Sequence, residues 1–380
     1  MAGYYEFFAG GGMARAGLGP GWTCLFANDI DPRKAASYHA NFAGETFRVC
    51  DIAELSTHDL PGFADLAWAS FPCQDLSLAG RGAGLEGTRS GAFHPFWRLM
   101  KALAAEGRAP AIIAIENVLG LLSSRGGDDF RQLTTILDDG IWRFGALCID
   151  AALFVPQSRP RLFLIGVRND IAIDPNLLAA RPSPPFHPPR LEGAVAALRG
   201  RIAERMLWWA LPPPAARNQG LSDLLEDAPE GVGWLSTKET LRLVSMMSTA
   251  NLTKLAAAKR SGRRVAFGLY RRMRPAGSGG RVQRAEIRGG DIAGCLRTPA
   301  GGSSRQAILL VEGEEIRTRL ISAREAARLM GLADDYVLPE CRNDAYRLLG
   351  DGVVVDVVSY LVRNLLEPLL CGGQTRAEAA

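Results

Sequence analysis

Phe7-Phe8-Ala9-Gly10-Gly11-Gly12-Met13 reads as an apolar strand that runs into a glycine turn and then into a helix. Such a turn lets the backbone approach a ligand closely and points helix N-terminal amides at an anionic group. From Tyr4 to about residue 168 the same rhythm repeats, short apolar runs alternating with amphipathic stretches. That is the pattern of a doubly wound, Rossmann-like α/β sheet, which is expected to be parallel. Tyr4 to Phe8, Thr23 to Ala27, Thr46 to Val49, Leu66 to Ala69, Ala111 to Ile115, Arg143 to Ile149 and Arg161 to Val167 are the expected strands. Ala14 to Gly17, Asp31 to Asn41, Pro95 to Glu106 and Asp128 to Asp138 are the expected helices.

The ends of the first three strands describe a ligand. The dinucleotide fingerprint G-x-G-x-x-G is absent, because Arg15 takes the place of its last glycine, which argues against a nicotinamide cofactor. Asn28-Asp29-Ile30-Asp31 closes the second strand, where an acid holds a ribose diol. Asp51-Ile52 follows the third, an acid suited to an exocyclic adenine amine, with Ile52 and Phe8 placed to cover the ring. No phosphate-binding lysine accompanies them, so a nucleoside without phosphates fits, such as S-adenosylmethionine. Asp31 is better read as a helix N-cap.

Three further strand ends carry chemistry. Phe71-Pro72-Cys73-Gln74 follows Leu66 to Ala69, Glu116-Asn117 follows Ala111 to Ile115, and Gln157-Ser158-Arg159-Pro160-Arg161 leads into Leu162 to Val167. In an open α/β sheet ligands bind at strand termini, so a thiol, an acid and a guanidinium pair brought to one edge describe a site. Surface charge is the ordinary explanation for Arg159 and Arg161, and the nearby Glu116 is what counts against it.

Composition narrows the class. With 380 residues and 47% hydrophobic content the chain can bury a large core and divide into two domains. No apolar run approaches the roughly 20 residues that span a bilayer, and the N-terminus lacks a basic flank with an apolar segment, so a cytoplasmic protein is expected. The seven cysteines are odd in number, scattered and without a C-x-x-C pair, and there are four histidines, so neither disulfides nor a metal is expected. Cys24, Cys50 and Cys148 lie among apolar neighbours and read as inert, which leaves Cys73 with the reactive context. The formal charge of +4 hides a strongly cationic stretch between residues 259 and 305, rich in Arg and holding only Glu286 and Asp291 as acids. That stretch suggests a polyanionic partner.

Arg181-Pro182-Ser183-Pro184-Pro185-Phe186-His187-Pro188-Pro189 cannot continue a helix or strand and reads as a linker. The expected domains are therefore 1–175 with 320–380, and a second, smaller one at 176–319. Ser236 with Glu239 is a capping box that opens a helix to Met247, and Ser322 with Glu325 is another that opens one to Met330. Val353 to Leu369 suits a helix better than a strand, because it is long and holds no turn signal.

In this order the motifs Phe7-x-Gly-Gly-Gly, Asn28-Asp29, Asp51-Ile52, Pro72-Cys73-Gln74, Glu116-Asn117-Val118, Gln157 to Arg161 and Arg324-Glu325-Ala326-Ala327-Arg328-Leu329-Met330-Gly331 resemble those of the DNA cytosine-5 methyltransferases. The resemblance covers nearly the whole chain apart from about 170 to 270. It implies an S-adenosylmethionine-dependent catalytic domain with a smaller target-recognition domain, and a closing helix that completes the first. It implies that Phe8, Gly10, Gly12, Asp29, Ile30, Asp51, Ile52, Pro72 and Val353 hold the donor. Cys73 would add to C6 of a flipped-out cytosine, Glu116 would serve N3, and Arg161 with Arg159 would bind O2 and steady Glu116. Gln74 to Gly91 would be a loop that closes on duplex DNA, with Gln74 and Ser77 touching it. Gly289 to Ala293 and Thr298 to Ser304 look like recognition loops, and Arg297 and Arg305 are the base-reading candidates.

The family is also expected to act as a monomer, to reside with DNA in the cytoplasm, and in some settings to accompany a restriction endonuclease. Two places depart from its usual pattern: Ser322 stands where Thr is common, and Gly350-Asp351-Gly352-Val353 replaces a Gly-Asn-Ser/Ala-Val sequence, adding a negative charge near the donor. Two alternatives stay open on the residues alone, an RNA cytosine-5 methyltransferase and a catalytically silent DNA-binding protein of the same fold.

Overall fold

The structure, a computed structural model, describes residues 1–44, 46–71, 92–275, 279–299 and 305–377. Packing divides the chain into two compact units, one of Met1–Asp150, Pro160–Ala215 and Val353–Ala380, the other of Ala151–Arg159 and Ala216–Gly352.

The first unit is built on a seven-stranded sheet. Its strands are β1 (Ala2–Phe7), β2 (Trp22–Asp29), β3 (Phe47–Val49), β4 (Leu66–Ala69), β5 (Ile112–Val118), β6 (Trp142–Asp150) and β7 (Pro160–Arg168), in the spatial order β3-β2-β1-β4-β5-β7-β6. All seven expected strands are present. β1 to β5 are mutually parallel, and the chain leaves β1 toward β2 on one side and toward β4 on the other, so the glycine turn after β1 sits where the strand order reverses. Ligands bind at such a switch point.

The expectation of a wholly parallel sheet is corrected at one edge, because β7 runs antiparallel to both β5 and β6. The reason lies in the connection: the nine residues Ala151–Arg159 between β6 and β7 are fewer than the dozen or so that a parallel crossover needs. The consequence is functional. An antiparallel β7 sets its first residues beside the last of β5, pairing Arg161 with Val118. In a parallel arrangement Arg161 would stand at the opposite edge.

Strand interiors are apolar on both faces, as strands covered by helices require: Leu66–Ala69 and Ile112 to Asn117 are buried throughout. The helix Phe93–Ala105 contributes Phe93, Phe96, Trp97, Met100 and Leu103 to this core at three- and four-residue spacing. Asp31 caps the helix Pro32–Asn41 by accepting from the Arg33 amide at 2.9 Å. Val355–Leu361 and the turns that follow are helical, not strand, and they close on the helix Met13–Leu18. There Gly17 leaves room for Val358, whose Cβ would lie 2.4 Å from a side chain at that position, and its carbonyl accepts from the Ser359 hydroxyl at 2.8 Å.

The second unit holds a four-stranded antiparallel sheet of β8 (Val265–Pro275), β9 (Arg281–Arg288), β10 (Ala307–Glu312) and β11 (Glu315–Leu320), ordered β11-β10-β8-β9. The helices Thr237–Ser245 and Thr249–Arg260 belong to it, and Met247, Leu255, Phe267, Ile287, Leu309 and Val311 share its core. Both capping boxes form, at Ser236 and at Ser322.

The expected boundaries at 175 and 320 follow composition, whereas the compact units follow packing. After the proline-rich stretch, Leu191, Val195, Leu198 and Met206 join the core of the first unit, and Leu207 pairs with Gly145 of β6. After residue 320, Glu325 is bound to Arg319 of β11 with neither side chain exposed at all, which holds the helix Ala323–Arg328 in the second unit.

Candidate active site and donor-binding end

Glu116, third from the end of β5, is buried, and its Oε1 lies 3.0 Å from Nε of Arg161 at the start of β7. Arg161 also donates to the Pro160 carbonyl at 3.0 Å. The acid and one guanidinium expected from the sequence are therefore brought together. Asn117, the neighbour of Glu116, points its amide nitrogen at the Phe71 carbonyl, 3.5 Å away, and accepts from the Val118 amide at 2.9 Å.

Phe71 thus marks where the chain leaves β4 toward Cys73, and it is held at the end of β5. Its ring packs on Phe93 with centroids 5.3 Å apart, so the two sides of the segment 72–91 are both anchored in the core. Pro72, Cys73, Gln74 and Ser77 lie outside the described residues, as do Ala300 to Ser304 of the second expected recognition loop. Cys148 is buried, and burial pushes its thiol up to about 12. Burial also raises the thiol of Cys50. Neither is poised to ionise near neutral pH.

The Gln157 to Arg161 motif divides between two tasks. Gln157, fully buried, donates to the Leu329 carbonyl at 2.7 Å and accepts from the Leu296 amide at 2.9 Å. Arg159 is equally buried and donates to the carbonyls of Leu296 at 3.0 Å, Gly350 at 2.8 Å and Gly352 at 2.6 Å. These bonds all lie in the second unit and grip the Gly350-Asp351-Gly352 segment, where Asp351 itself is exposed. A side chain on Gly350 would meet the backbone of Arg297 and Thr298 at 2.7 Å. Arg297 is exposed, and Arg305 donates to Asn343 Oδ1 at 2.9 Å.

At the end of β1 the backbone turns left-handed at Phe8, Gly10 and Gly12, with φ of 60°, 57° and 77°. Gly12 is required twice over, since a Cβ there would also lie 2.4 Å from the Phe42 ring. Among the described residues nothing lies within 4 Å of where a Gly10 side chain would begin, which leaves that backbone open to a ligand on their side. Asp29 organises the turn: its two carboxylate oxygens accept from the amides of Gly10 at 3.0 Å and Asp31 at 2.9 Å. Each oxygen keeps a lone pair for a further donor such as a ribose hydroxyl. Asp51 accepts from the Ala53 amide at 2.9 Å. Ile52 sits in the core, whereas Ile30 is 65% exposed and offers its apolar face outward. Val353 is buried at the start of the returning segment. An open glycine backbone, two acids and an exposed aliphatic side chain fit a nucleoside without phosphates, such as the sulfonium S-adenosylmethionine.

The sequence reading missed Glu6. It is wholly buried on β1, one carboxylate oxygen has no partner among the described residues, and burial pushes its carboxyl up to about 8 against the pull of Arg15. A lone acid within the apolar run Tyr4 to Phe8 was the available signal. Gln157 and Asn117 were quoted only as parts of motifs, and their anchoring bonds to carbonyls have no sequence signature.

The family model for C-5 cytosine-specific DNA methylase matches residues 3–367. Among curated proteins, Type II methyltransferase M.HhaI of Haemophilus parahaemolyticus is 25% identical over 95% of this chain and 93% of its own length. Type II methyltransferase M.DsaV of Dactylococcopsis salina is 26% identical over 96% of this chain and 85% of its own. Among solved structures, the Dnmt2 methyltransferase of S. pombe superposes with a TM-score of 0.59 at 19% identity, covering 97% of this chain and 99% of that one. The Entamoeba histolytica methyltransferase EhMeth gives 0.59 at 15% identity over 98% of each chain. At these identities the solved structures speak for the fold.

Proposed function

Because the chain belongs to the C-5 cytosine-specific DNA methylase family, and is thus a DNA (cytosine-5-)-methyltransferase with S-adenosylmethionine as donor, we propose that Cys73, Glu116 and Arg161 carry the reaction through a covalent adduct on a cytosine flipped out of duplex DNA. The observation that supports this most is the Glu116–Arg161 pair at 3.0 Å, beside the point where Asn117 holds the carbonyl two residues before Cys73.

C5 of cytosine is a weak nucleophile. The Cys73 thiolate adds to C6, the ring electrons move toward C5 and N3, and Glu116 hydrogen-bonds or protonates N3 as that charge develops. Arg161 holds Glu116 in register and reaches O2 of the ring. S-adenosylmethionine, when bound, supplies an electrophilic methyl group to C5. A base, water included, then takes the C5 proton, the C6–sulfur bond breaks, and the thiolate returns. Flipping the base costs a few kcal/mol, which phosphate contacts by the cationic stretch offset. Arg159, gripping carbonyls of the Gly350–Gly352 segment, is better suited to positioning than to touching the base. Asp29, Asp51 and Ile30, with the open backbone of Gly10, are the donor-holding groups; Phe8, Gly12, Pro72 and Val353 complete the set, and Ile52 backs it from the core. We infer also a monomer, and a companion restriction endonuclease, the latter from the Type II designation that both curated relatives named above carry.

Bisulfite sequencing of DNA from cells that express the protein identifies the methylated site. A duplex carrying 5-fluorocytosine at that site has no C5 proton to lose, so the wild type should remain attached to it under denaturing conditions. Cys73→Ser should bind donor and DNA, transfer no methyl and form no such complex. Methylation at the wild-type rate by Cys73→Ser would remove the nucleophile from this reading, and label appearing in tRNA rather than duplex DNA would redirect the substrate.

A further inference from the structure

β8 is eleven residues long, but β10 pairs with it only over Val265 to Leu269. From Tyr270 onward the neighbour that β8 has among the described residues is β9, and Tyr270–Pro275 with Arg281–Glu286 form a two-stranded ribbon about 20 Å long, tied at its base where Ala285 is buried and bridges to Met247. Arg271 through Pro275 are all exposed, as are Arg281, Gln283 and Arg284, and Met273 is 46% exposed. Beyond that base the ribbon, Arg271–Pro275 with Arg281–Arg284, is largely solvated, and a two-stranded ribbon is marginal in water unless something covers it.

The register sorts the side chains. Arg272 stands directly opposite Arg284, and Met273 opposite Gln283, so the two pairs face opposite ways. On the first face Arg274 is held by Glu286 through bonds of 2.5 and 2.8 Å, and Arg272 stacks on Tyr270 with its guanidinium 5.4 Å from the ring centroid. Arg284 has no carboxylate in ion-pair reach among the described residues, and neither have Arg271, Arg281 and Arg288. Like charges set directly across a strand pair destabilise it. The Arg272–Arg284 pair is therefore unfavourable in the protein alone and favourable against a partner that presents acceptors.

We propose that this ribbon enters the major groove of the DNA substrate with the Arg272–Arg284 face toward the base edges, so that guanines near the target cytosine set the recognised sequence. The inference rests on the proposed function and adds to it the element and the base that give specificity. The major groove, about 12 Å wide, admits a two-stranded ribbon, and a guanidinium fork matches guanine O6 and N7. The stack on Tyr270 holds one fork in orientation before DNA arrives, which lowers the ordering cost of that contact.

The test is the equilibrium affinity of the full-length protein for duplexes containing the methylated site, free of any transfer step. Replacing single guanines by 7-deazaguanine removes N7 from the groove. The wild type should lose about tenfold or more at one or two positions. Arg272→Gln with Arg284→Gln should bind the normal duplex more weakly and lose that discrimination, and Met273→Ala with Gln283→Ala, on the other face, should keep it. Uniform weakening of all duplexes by the arginine variant, with discrimination intact, would overturn base reading, and unchanged affinity would overturn contact altogether. A wild type that shows the arginine-dependent preference while 5-fluorocytosine at the methylated position traps no complex would sink the proposed covalent step and leave this inference standing.

Discussion

The edge of the first sheet and the ribbon of the second unit both carry arginine, and they treat it in opposite ways. Arg161 is mostly buried and has its counter-charge built in, 3.0 Å away on Glu116. Arg271, Arg281, Arg284 and Arg288 are exposed and have no carboxylate within reach among the described residues. A buried guanidinium without a partner would be costly, so its geometry has to be completed by the fold itself. An exposed one is hydrated at little cost and can wait for a partner from outside. Chemistry needs the first arrangement and capture of a polyanion needs the second.

The sharpest way to break this comparison is at the paired edge. Glu116→Gln keeps shape but removes the proton donor, and should lower kcat by about 100-fold to 10,000-fold while DNA affinity changes little. Single-turnover methyl transfer on the identified duplex, alongside equilibrium binding, separates the two quantities. An equal loss in binding would mean that Glu116 holds the substrate and does not serve the reaction.

Next in size is a pair that has no role in chemistry. Arg319 and Glu325 are fully buried, joined by two bonds of 2.7 Å, and Glu325 also accepts from the amides of Ser322 and Glu226. Arg319→Met strands the carboxylate and should destabilise the second unit by about 3–5 kcal/mol, as read from urea unfolding. Arg319→Met combined with Glu325→Gln should recover part of that loss, because the amide needs no counter-charge and its oxygen can still accept from the backbone, which a merely local packing defect would not show.

These two pairs also show what was legible in the sequence. Glu116 and Arg161 were visible because apolar runs flank them, and their meeting needed only that both strand ends share an edge. That they share it depends on β7 running antiparallel, which the length of the Ala151–Arg159 connection decides and hydrophobic periodicity does not. The Ser322 and Ser236 caps were readable because their hydrogen bonds are local. The resemblance implied that Arg159 steadies Glu116 with Arg161, and the carbonyls it grips at Gly350 and Gly352 are almost two hundred residues away, where no local pattern reaches. The compact units divide at 215 and 352 and not where composition changes, for a similar reason: the proline-rich stretch looks like a linker, and packing joins the residues after it to the first core.

Glu6 extends the comparison to a buried charge whose fold leaves one oxygen unpartnered among the described residues. Burial pushes its carboxyl up from 4.5 to about 8, so the folded protein keeps this proton where the unfolded chain has released it. Its contribution to stability is fully present below the unfolded value and is lost as pH rises through the folded one. Between about pH 4.5 and 8 the wild type should therefore lose stability relative to Glu6→Gln, whose amide does not titrate. Thermal unfolding of both proteins across that range checks it. Parallel curves would mean that Glu6 releases its proton in the fold as readily as in the unfolded chain.

The smallest effect belongs to the unpaired arginines outside the proposed base-reading face. Arg271→Ala, Arg281→Ala and Arg288→Ala remove exposed side chains with no ion pair among the described residues, so each should change stability by less than about 0.5 kcal/mol. Each that touches a phosphate should flatten the dependence of log affinity on log salt by about one, equally for all sequences. Glu116→Gln should leave that slope untouched. If instead the arginine variants lose stability and keep the wild-type slope, the ribbon's charge serves the fold after all, and the contrast between a self-paired edge and an outward-facing ribbon fails.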